Sequence, residues 1–262
     1  MPNITINGVD TYYTDSGGTG TPVVFIHGLS LDLTYWSPEI GALSGSGYRC
    51  IAYDWRGMGQ SGGATPQYSM NDLADDLNAL IGALNLSNPI LCGHSQGGII
   101  ALQFAVSYPG KASKLVLADT PWQGAFPPIA YDLFEIILDF ISLKTLTPLA
   151  QNALYSSDFQ KSNPQFIDAW QQQFQANSND GLLNGLYALV YATNLENQLS
   201  SITQPVLLIH GSEDALVSKS SMKTYEDDLP DATFDTIEGS GHMTLSEQPA
   251  EFSSLMSSFL NP

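Results

Sequence analysis

The segment "LCGHSQGGII", residues 91–100, places a serine between glycines at the junction of two apolar runs. This order predicts a strand, a sharp turn at Ser95 and then a helix over 96–108. A serine on such a turn has a strained backbone, and side chains at Gly93 and Gly97 would collide with the surrounding chain. The serine then lies beside the unpaired amides of the helix's first turn, which favour developing negative charge. The pattern predicts a nucleophile at Ser95, with a glycine-rich turn carrying an incidental serine as the alternative.

Short apolar runs elsewhere in the chain extend this strand-and-helix pattern. They are rich in branched residues and typical of strands buried on both faces, and they span residues 22–27, 49–54, 89–94, 114–119 and 205–210. Helical patterns lie between them: Ser69 and Asp72 have capping-box spacing, and Pro249 precedes an amphipathic stretch. The alternation predicts an α/β fold with a doubly wound, mostly parallel sheet.

One long segment, residues 121–204, interrupts the alternation because it contains no convincing strand pattern. Its stretch 129–143 is apolar nearly all round if helical, but it carries acidic residues and is too short to span a membrane. We interpret the segment as a helical cap inserted into an α/β core made of residues 1–120 and 205–262.

Composition excludes several classes of partner. The net charge of −18 comes from 26 acidic residues against eight lysines and arginines, so the surface should repel nucleic acids and anionic membranes. Cys50 and Cys92 stand alone in predicted strands and indicate core thiols, not disulfides or a metal site. Because we find neither a signal-peptide pattern nor a long apolar run, we expect a cytoplasmic protein with no membrane span. The oligomeric state stays open.

A serine nucleophile needs a base, and the chain has four histidines. His94 adjoins Ser95, but successive side chains on a sharp turn point apart. His27 and His210 each end a predicted strand before a glycine, which favours structural roles. His242 lies in the glycine-rich loop of "EGSGHMTLSEQP", between a strand pattern and the final helical pattern, and is the predicted base.

The base in turn needs a carboxylate to fix its tautomer. Asp214 follows a predicted strand by four residues, where a site residue of an open α/β sheet is expected. Glu213 is adjacent, and Asp119 is a competing acid because it follows the strand after the serine turn. The preferred set, in chain order, is Ser95, Asp214 and His242.

An oxyanion formed during attack needs two backbone donors. The amide of Gln96, directly after the nucleophile, is the first. The second should come from the loop after "PVVFIHG", most simply the amide of Leu29, which Gly28 allows to approach closely.

Taken together, "VVFIHG", "YDWRGMGQS", "GHSQGG", "HGSEDALV" and "GSGHM" resemble, in that order, the motifs of the α/β-hydrolase fold family over nearly the whole chain. The resemblance implies a Ser–Asp–His hydrolase with a helical cap, no cofactor and no metal. Relatives that open epoxides or displace halide use aspartate where this chain has Ser95. Relatives that make peracids often carry an aromatic residue where this chain has Leu29. These two differences disfavour both groups of activities for this chain.

Substrate contacts are expected from the aromatic residues of the inserted segment. The candidates are Trp122, Phe126, Tyr131, Phe134 and Trp170. The only cations between 121 and 204 are Lys144 and Lys161, so no arginine is present there to hold a carboxylate or phosphate. A neutral, apolar substrate is therefore favoured.

These patterns predict a hydrolase that cleaves a small, largely apolar ester or lactone through an acyl-enzyme at Ser95. Two alternatives stay open. "DWRGMG" also resembles cofactor-free, ring-opening dioxygenases of heteroaromatic substrates, although Arg56 in that motif is more simply expected to pair with an acid and pin its loop. The other alternative is a small-molecule receptor built on the same scaffold. Sustained turnover of substrate would distinguish an enzyme from such a receptor.

Overall fold

The computed structural model describes residues 2–121 and 127–261. Within them, eight strands form a sheet in the order β1-β2-β4-β3-β5-β6-β7-β8. The strands are β1 (Asn3–Ile6), β2 (Val9–Asp15), β3 (Pro22–Ile26), β4 (Arg49–Tyr53), β5 (Ile90–His94), β6 (Lys114–Ala118), β7 (Val206–Gly211) and β8 (Ala232–Ile237). Every neighbouring pair from β4 to β8 in this order is parallel. Strand β2 is antiparallel to both of its neighbours, β1 and β4.

Helices cover both faces of the sheet, so the predicted doubly wound α/β fold is confirmed. They are α1 (Ser37–Ser44), α2 (Met70–Ala83), α3 (Gln96–Ser107), α4 (Pro128–Phe140), α5 (Leu143–Leu154), α6 (Ser157–Ser162), α7 (Pro164–Gln175), α8 (Asn179–Val190), α9 (Lys219–Asp228), α10 (Thr244–Glu247) and α11 (Pro249–Leu260). Short 3-10 helices span Leu33–Trp36 and Glu196–Ser201. None of these described helices has both the length and the apolar character needed to cross a membrane.

Burial explains which strands could be foreseen. The central strands β5 and β7 are buried at every residue, which is why they appear in the sequence as continuous apolar runs. The edge strand β1 and its neighbour β2 are mostly exposed or half-buried and carry polar residues, so no apolar run marked them.

Several local predictions hold. Ser69 and Asp72 form a reciprocal capping box at the start of α2, and Pro249 is the first residue of α11. Arg56 pairs with Asp76, its Nε lying 2.5 Å from Oδ2, and so pins the loop after β4. Both cysteines are free and buried, and burial raises the pKa of the Cys50 thiol to about 12.

Helices α4–α8 and the second 3-10 helix, here called the helical segment (residues 127–201), lie between β6 and β7 in the chain. Its helix α8 rests on the loop after β4. A Cβ at Gly181 would lie 2.1 Å from the Gly57 carbonyl oxygen, and Asn184 Nδ2 donates to the Ala64 carbonyl at 2.6 Å. The loop carrying the "DWRGMG" motif therefore packs against helix α8 and hydrogen-bonds to it.

Candidate active site

The serine turn between β5 and α3 has the strained backbone that its sequence predicts. Ser95 has φ 51° and ψ −122°, and its amide donates to the Ala118 carbonyl at 2.8 Å. A Cβ at Gly93 would lie 2.3 Å from the Gly97 oxygen, and one at Gly97 would lie 2.1 Å from the Ile26 oxygen. Both glycines are needed because backbone atoms occupy the space of a side chain.

His242 and Asp214 meet at the carboxyl edge of the sheet, on the loops after β8 and β7. His242 Nδ1 donates to Asp214 Oδ2 at 2.7 Å, in a setting where the histidine is only 2% exposed. The other carboxylate oxygen accepts the amides of Leu216 at 2.8 Å and Val217 at 2.9 Å. The aspartate is therefore fixed by its own loop and in turn orients the imidazole.

This pairing governs the protonation of both groups. For His242, burial alone would lower the pKa, but the charge of Asp214 and its hydrogen bond outweigh burial and raise the pKa above 6.5. For Asp214, burial alone would raise the pKa, but attraction to His242 and the hydrogen bonds from the two backbone amides bring the pKa below 3.8. The pair thus favours an imidazolium next to a carboxylate.

Asp119, the competing acid, lies in the same region but makes other contacts. Its Oδ1 accepts the Gly211 amide at 2.9 Å, and its Oδ2 accepts the Thr244 hydroxyl at 2.6 Å. Burial first, and then the charge of Asp214, raise its pKa to about 8. Asp119 links the ends of β6 and β7 to the helix that follows the His242 loop, while Asp214 makes the hydrogen bond to His242.

The remaining histidines support loops of the site. Burial lowers the pKa of His94 to about 3, and its Nε2 lies 2.8 Å from the backbone carbonyl of His242. A neutral His94 donates that bond and holds the backbone of the predicted base, a role that sequence reasoning missed. His27 Nδ1 lies 2.8 Å from the Gly28 oxygen, and His210 Nε2 lies 2.9 Å from the Val217 oxygen.

Glu247 is a second supporting residue that sequence reasoning missed. Its Oε1 accepts the Gly241 amide at 3.1 Å, and its Oε2 accepts the Ser156 amide at 3.2 Å. The side chain therefore ties the His242 loop to the junction of α5 and α6. In the sequence, Glu247 is only an acidic residue five positions after His242, and nothing there indicates its bonds to both loops.

The two predicted oxyanion donors flank the serine. A Cβ at Gly28 would lie 2.9 Å from His94 Nδ1 and 3.1 Å from Ser95 Cβ, so this glycine lets the β3 loop approach the turn. Within residues 2–121 and 127–261, the amides of Leu29 and Gln96 make no hydrogen bond. A free backbone N–H can donate a hydrogen bond to the negatively charged oxygen of a tetrahedral intermediate.

A cavity of about 410 Å³ opens over these groups, with Ser95 and His242 in its wall. The rest of the described lining is mainly apolar and includes Phe134, Leu146, Ala150, Phe174, Leu186 and Leu216. Of the three predicted substrate contacts that the structure describes, Phe134 alone is in this lining. Tyr131 instead packs on Tyr187, and Trp170 packs on Tyr155. Trp122 and Phe126 lie outside the described residues.

Comparison with known proteins identifies the family. Residues 21–249 match the family model described as alpha/beta hydrolase fold, so the chain belongs to the α/β-hydrolase fold family.

Named relatives span several activities within that family. The chain is 30% identical to a non-heme chloroperoxidase of Streptomyces lividans over 94% of each chain, and 25% identical to 3-oxoadipate enol-lactonase 2 of Acinetobacter baylyi over 95% of this chain and 92% of that one. A thermophilic esterase from Thermogutta terrifontis superposes with a TM-score of 0.91 at 25% identity, covering 99% of this chain and 97% of the esterase. The relatives support a hydrolase of this family and leave its substrate open.

Proposed function

We propose that this protein is a serine hydrolase that cleaves a carboxylic ester or lactone of a small, largely apolar substrate. The observation that carries the proposal is the 2.7 Å hydrogen bond between His242 and Asp214. The imidazole of His242 lines the same apolar cavity as Ser95. A serine, a histidine and a buried carboxylate at such a cavity are the parts that acyl transfer needs.

In the proposed reaction, Ser95 Oγ attacks the substrate carbonyl while His242 Nε2 takes the hydroxyl proton. Asp214 holds Nδ1 and stabilises the imidazolium, and the Leu29 and Gln96 amides stabilise the oxyanion. The imidazolium then gives its proton to the departing alcohol oxygen, leaving an acyl-enzyme. Water, deprotonated by His242, attacks the acyl group and the same steps restore Ser95.

The described cavity lining supports the choice of substrate. It contains no lysine, arginine, aspartate or glutamate, so away from His242 no side chain in it compensates a charged group on the substrate. Leucine, alanine and phenylalanine side chains instead offer dispersion contacts to an alkyl or aryl group. The esterase and enol-lactonase among the similar proteins are named for this reaction class.

The proposal is tested by steady-state hydrolysis of p-nitrophenyl acetate, butyrate and octanoate with the wild type and Ser95→Ala. We expect sustained turnover that falls by about 10³-fold or more in the variant, because the acyl-enzyme cannot form. A fluorophosphonate should also react with Ser95 of the wild type, with loss of fluoride, and add the mass of its phosphonyl group, whereas the variant should gain no mass. Equal turnover by both proteins would contradict the proposal.

Two other results would favour the alternatives. Oxygen uptake with a heteroaromatic substrate would favour the dioxygenase, and binding of a ligand without turnover would favour the receptor.

A further inference from the structure

Both predicted oxyanion residues are held by a single glycine of α8. Gln96 is fully buried, and its Nε2 donates to the Gly185 carbonyl at 2.8 Å. A Cβ at Gly185 would lie 2.5 Å from Leu29 Cδ1, so the Leu29 side chain packs directly against the helix backbone. The side chains of Leu29 and Gln96, the two residues that carry the donor amides, therefore contact the helical segment.

Helix α7 and the residues after it hold the same loop from a second side. Gln173 Nε2 donates to the Ser30 carbonyl at 3.1 Å, and Asn177 Nδ2 donates to the same oxygen at 3.0 Å. Ser30 has φ 67°, a conformation that residues with side chains seldom adopt without outside restraint. Two donors on one carbonyl supply that restraint directly after Leu29.

The contacts across the two parts of the chain are selective. Gln171, two residues before Gln173 on α7, directs its amide to Gln151 Oε1 at 2.7 Å and so stays within the helical segment. Gln173 reaches across to Ser30 and is within 3.5 Å of Asp32, which caps the first 3-10 helix. Two glutamines of one helix thus differ in whether they contact the loop of the site.

We propose that the helical segment positions the oxyanion donors, with Gln173, Asn177 and Gly185 as positioning residues. The inference rests on the proposed function and extends it. The helical segment then does more than enclose substrate: its docked state is a requirement of the chemical step, because release of α7 and α8 frees the loop of Leu29 and the side chain of Gln96.

The test compares a Gln173→Ala/Asn177→Ala double variant with Gln171→Ala as the matched control. We expect kcat of the double variant to fall by about 10- to 100-fold, since small displacements of a positioned donor cost rates of this order. KM should change little, because the apolar lining is kept. The pH dependence should also keep its inflection, because the His242–Asp214 pair is untouched. The control should stay within about twofold of the wild type.

Two further readouts separate positioning from a general structural role. An alkyl boronic acid places an oxygen where the oxyanion forms, so its affinity should fall by the same factor as kcat/KM, while the affinity for an alcohol product stays unchanged. Hydrogen exchange followed by mass spectrometry should show faster exchange over residues 28–33 in the double variant and no change in the control.

Each outcome decides one question. If kcat and the exchange of residues 28–33 in the double variant match those of Gln171→Ala, or if only KM rises, the positioning role is overturned. If the wild type lacks turnover, or if Ser95→Ala retains it, the proposed function fails instead. The exchange measurement still decides the positioning claim in that case, because it does not depend on activity.

Discussion

At the scale of single residues, the site separates the roles of two buried carboxyl groups. Asp214 donates no proton and accepts three hydrogen bonds, so its pKa is lowered, whereas burial and the neighbouring Asp214 raise that of Asp119. Paired acids whose environments drive their pKa values apart have different tasks. Asp214 is suited to stabilising an imidazolium and Asp119 to fixing the surrounding loops.

Substituting each acid by its amide tests this division. Asp214→Asn should reduce kcat by about 10³-fold or more, because an amide can hold the wrong imidazole tautomer and carries no charge. Asp119→Asn is the matched control and should stay within about tenfold of the wild type, because its oxygen can still accept the Gly211 amide. A larger loss in Asp119→Asn than in Asp214→Asn would transfer the acid's role to Asp119.

The pKa of His242 predicts the acid side of the pH profile. Only neutral imidazole accepts the Ser95 proton, and Asp214 raises the pKa above 6.5, so kcat/KM should climb through an inflection above 6.5 as pH rises. A profile of kcat/KM against pH for the wild type measures this inflection. A wild-type inflection below 6.5 is the contrary result.

At the scale of elements, the β5–α3 turn depends on close backbone packing. A Cβ at Gly97 would lie 2.1 Å from the Ile26 carbonyl oxygen, so Gly97→Ala should lower the free energy of unfolding by about 3 kcal/mol and displace Ser95. Gly82→Ala in α2 is the control, since nothing lies within 4 Å of its Cβ. That change should stabilise the protein by about 0.5 kcal/mol. Urea denaturation measures both; equal effects would contradict the packing argument.

Helix α5 forms one wall of the cavity and should control acyl length. Ala150 faces the cavity, so Ala150→Leu should fill part of it and reduce kcat/KM for the octanoate ester by about tenfold more than for the acetate. Asn152→Leu, on the exposed side of the same helix, adds a similar side chain away from the cavity and should leave the ratio unchanged. An unchanged ratio in Ala150→Leu would place the acyl chain elsewhere.

At the scale of the whole molecule, charge opposes compactness. With 26 acidic residues against eight lysines and arginines, surface carboxylates repel one another, and salt screens this repulsion. Adding NaCl at neutral pH should therefore raise Tm by about 3 °C. The same addition near pH 5, where fewer carboxylates are ionised, is the control and should have a smaller effect. A salt-independent Tm at neutral pH would show that repulsion is negligible.

The same scale shows what sequence could predict. The parallel strands, the Ser95 turn and the α2 capping box follow from neighbouring residues, so they were visible without a structure. Strands β1 and β2 were missed because they are mostly exposed or half-buried and carry no apolar run. The bonds from His94 to the His242 carbonyl and from Gln173 to Ser30 were missed because each joins positions more than 140 residues apart, which only the fold brings together.

The two buried thiols make the whole molecule convenient to label. Cys50 and Cys92 are the chain's only cysteines, both are inaccessible, and burial raises the pKa of both thiols. Maleimides need an exposed thiolate, so the native protein should not react. A cysteine introduced in place of the exposed Asn152 would then be a unique attachment point for a fluorophore, reporting on the helical segment while both natural cysteines are kept.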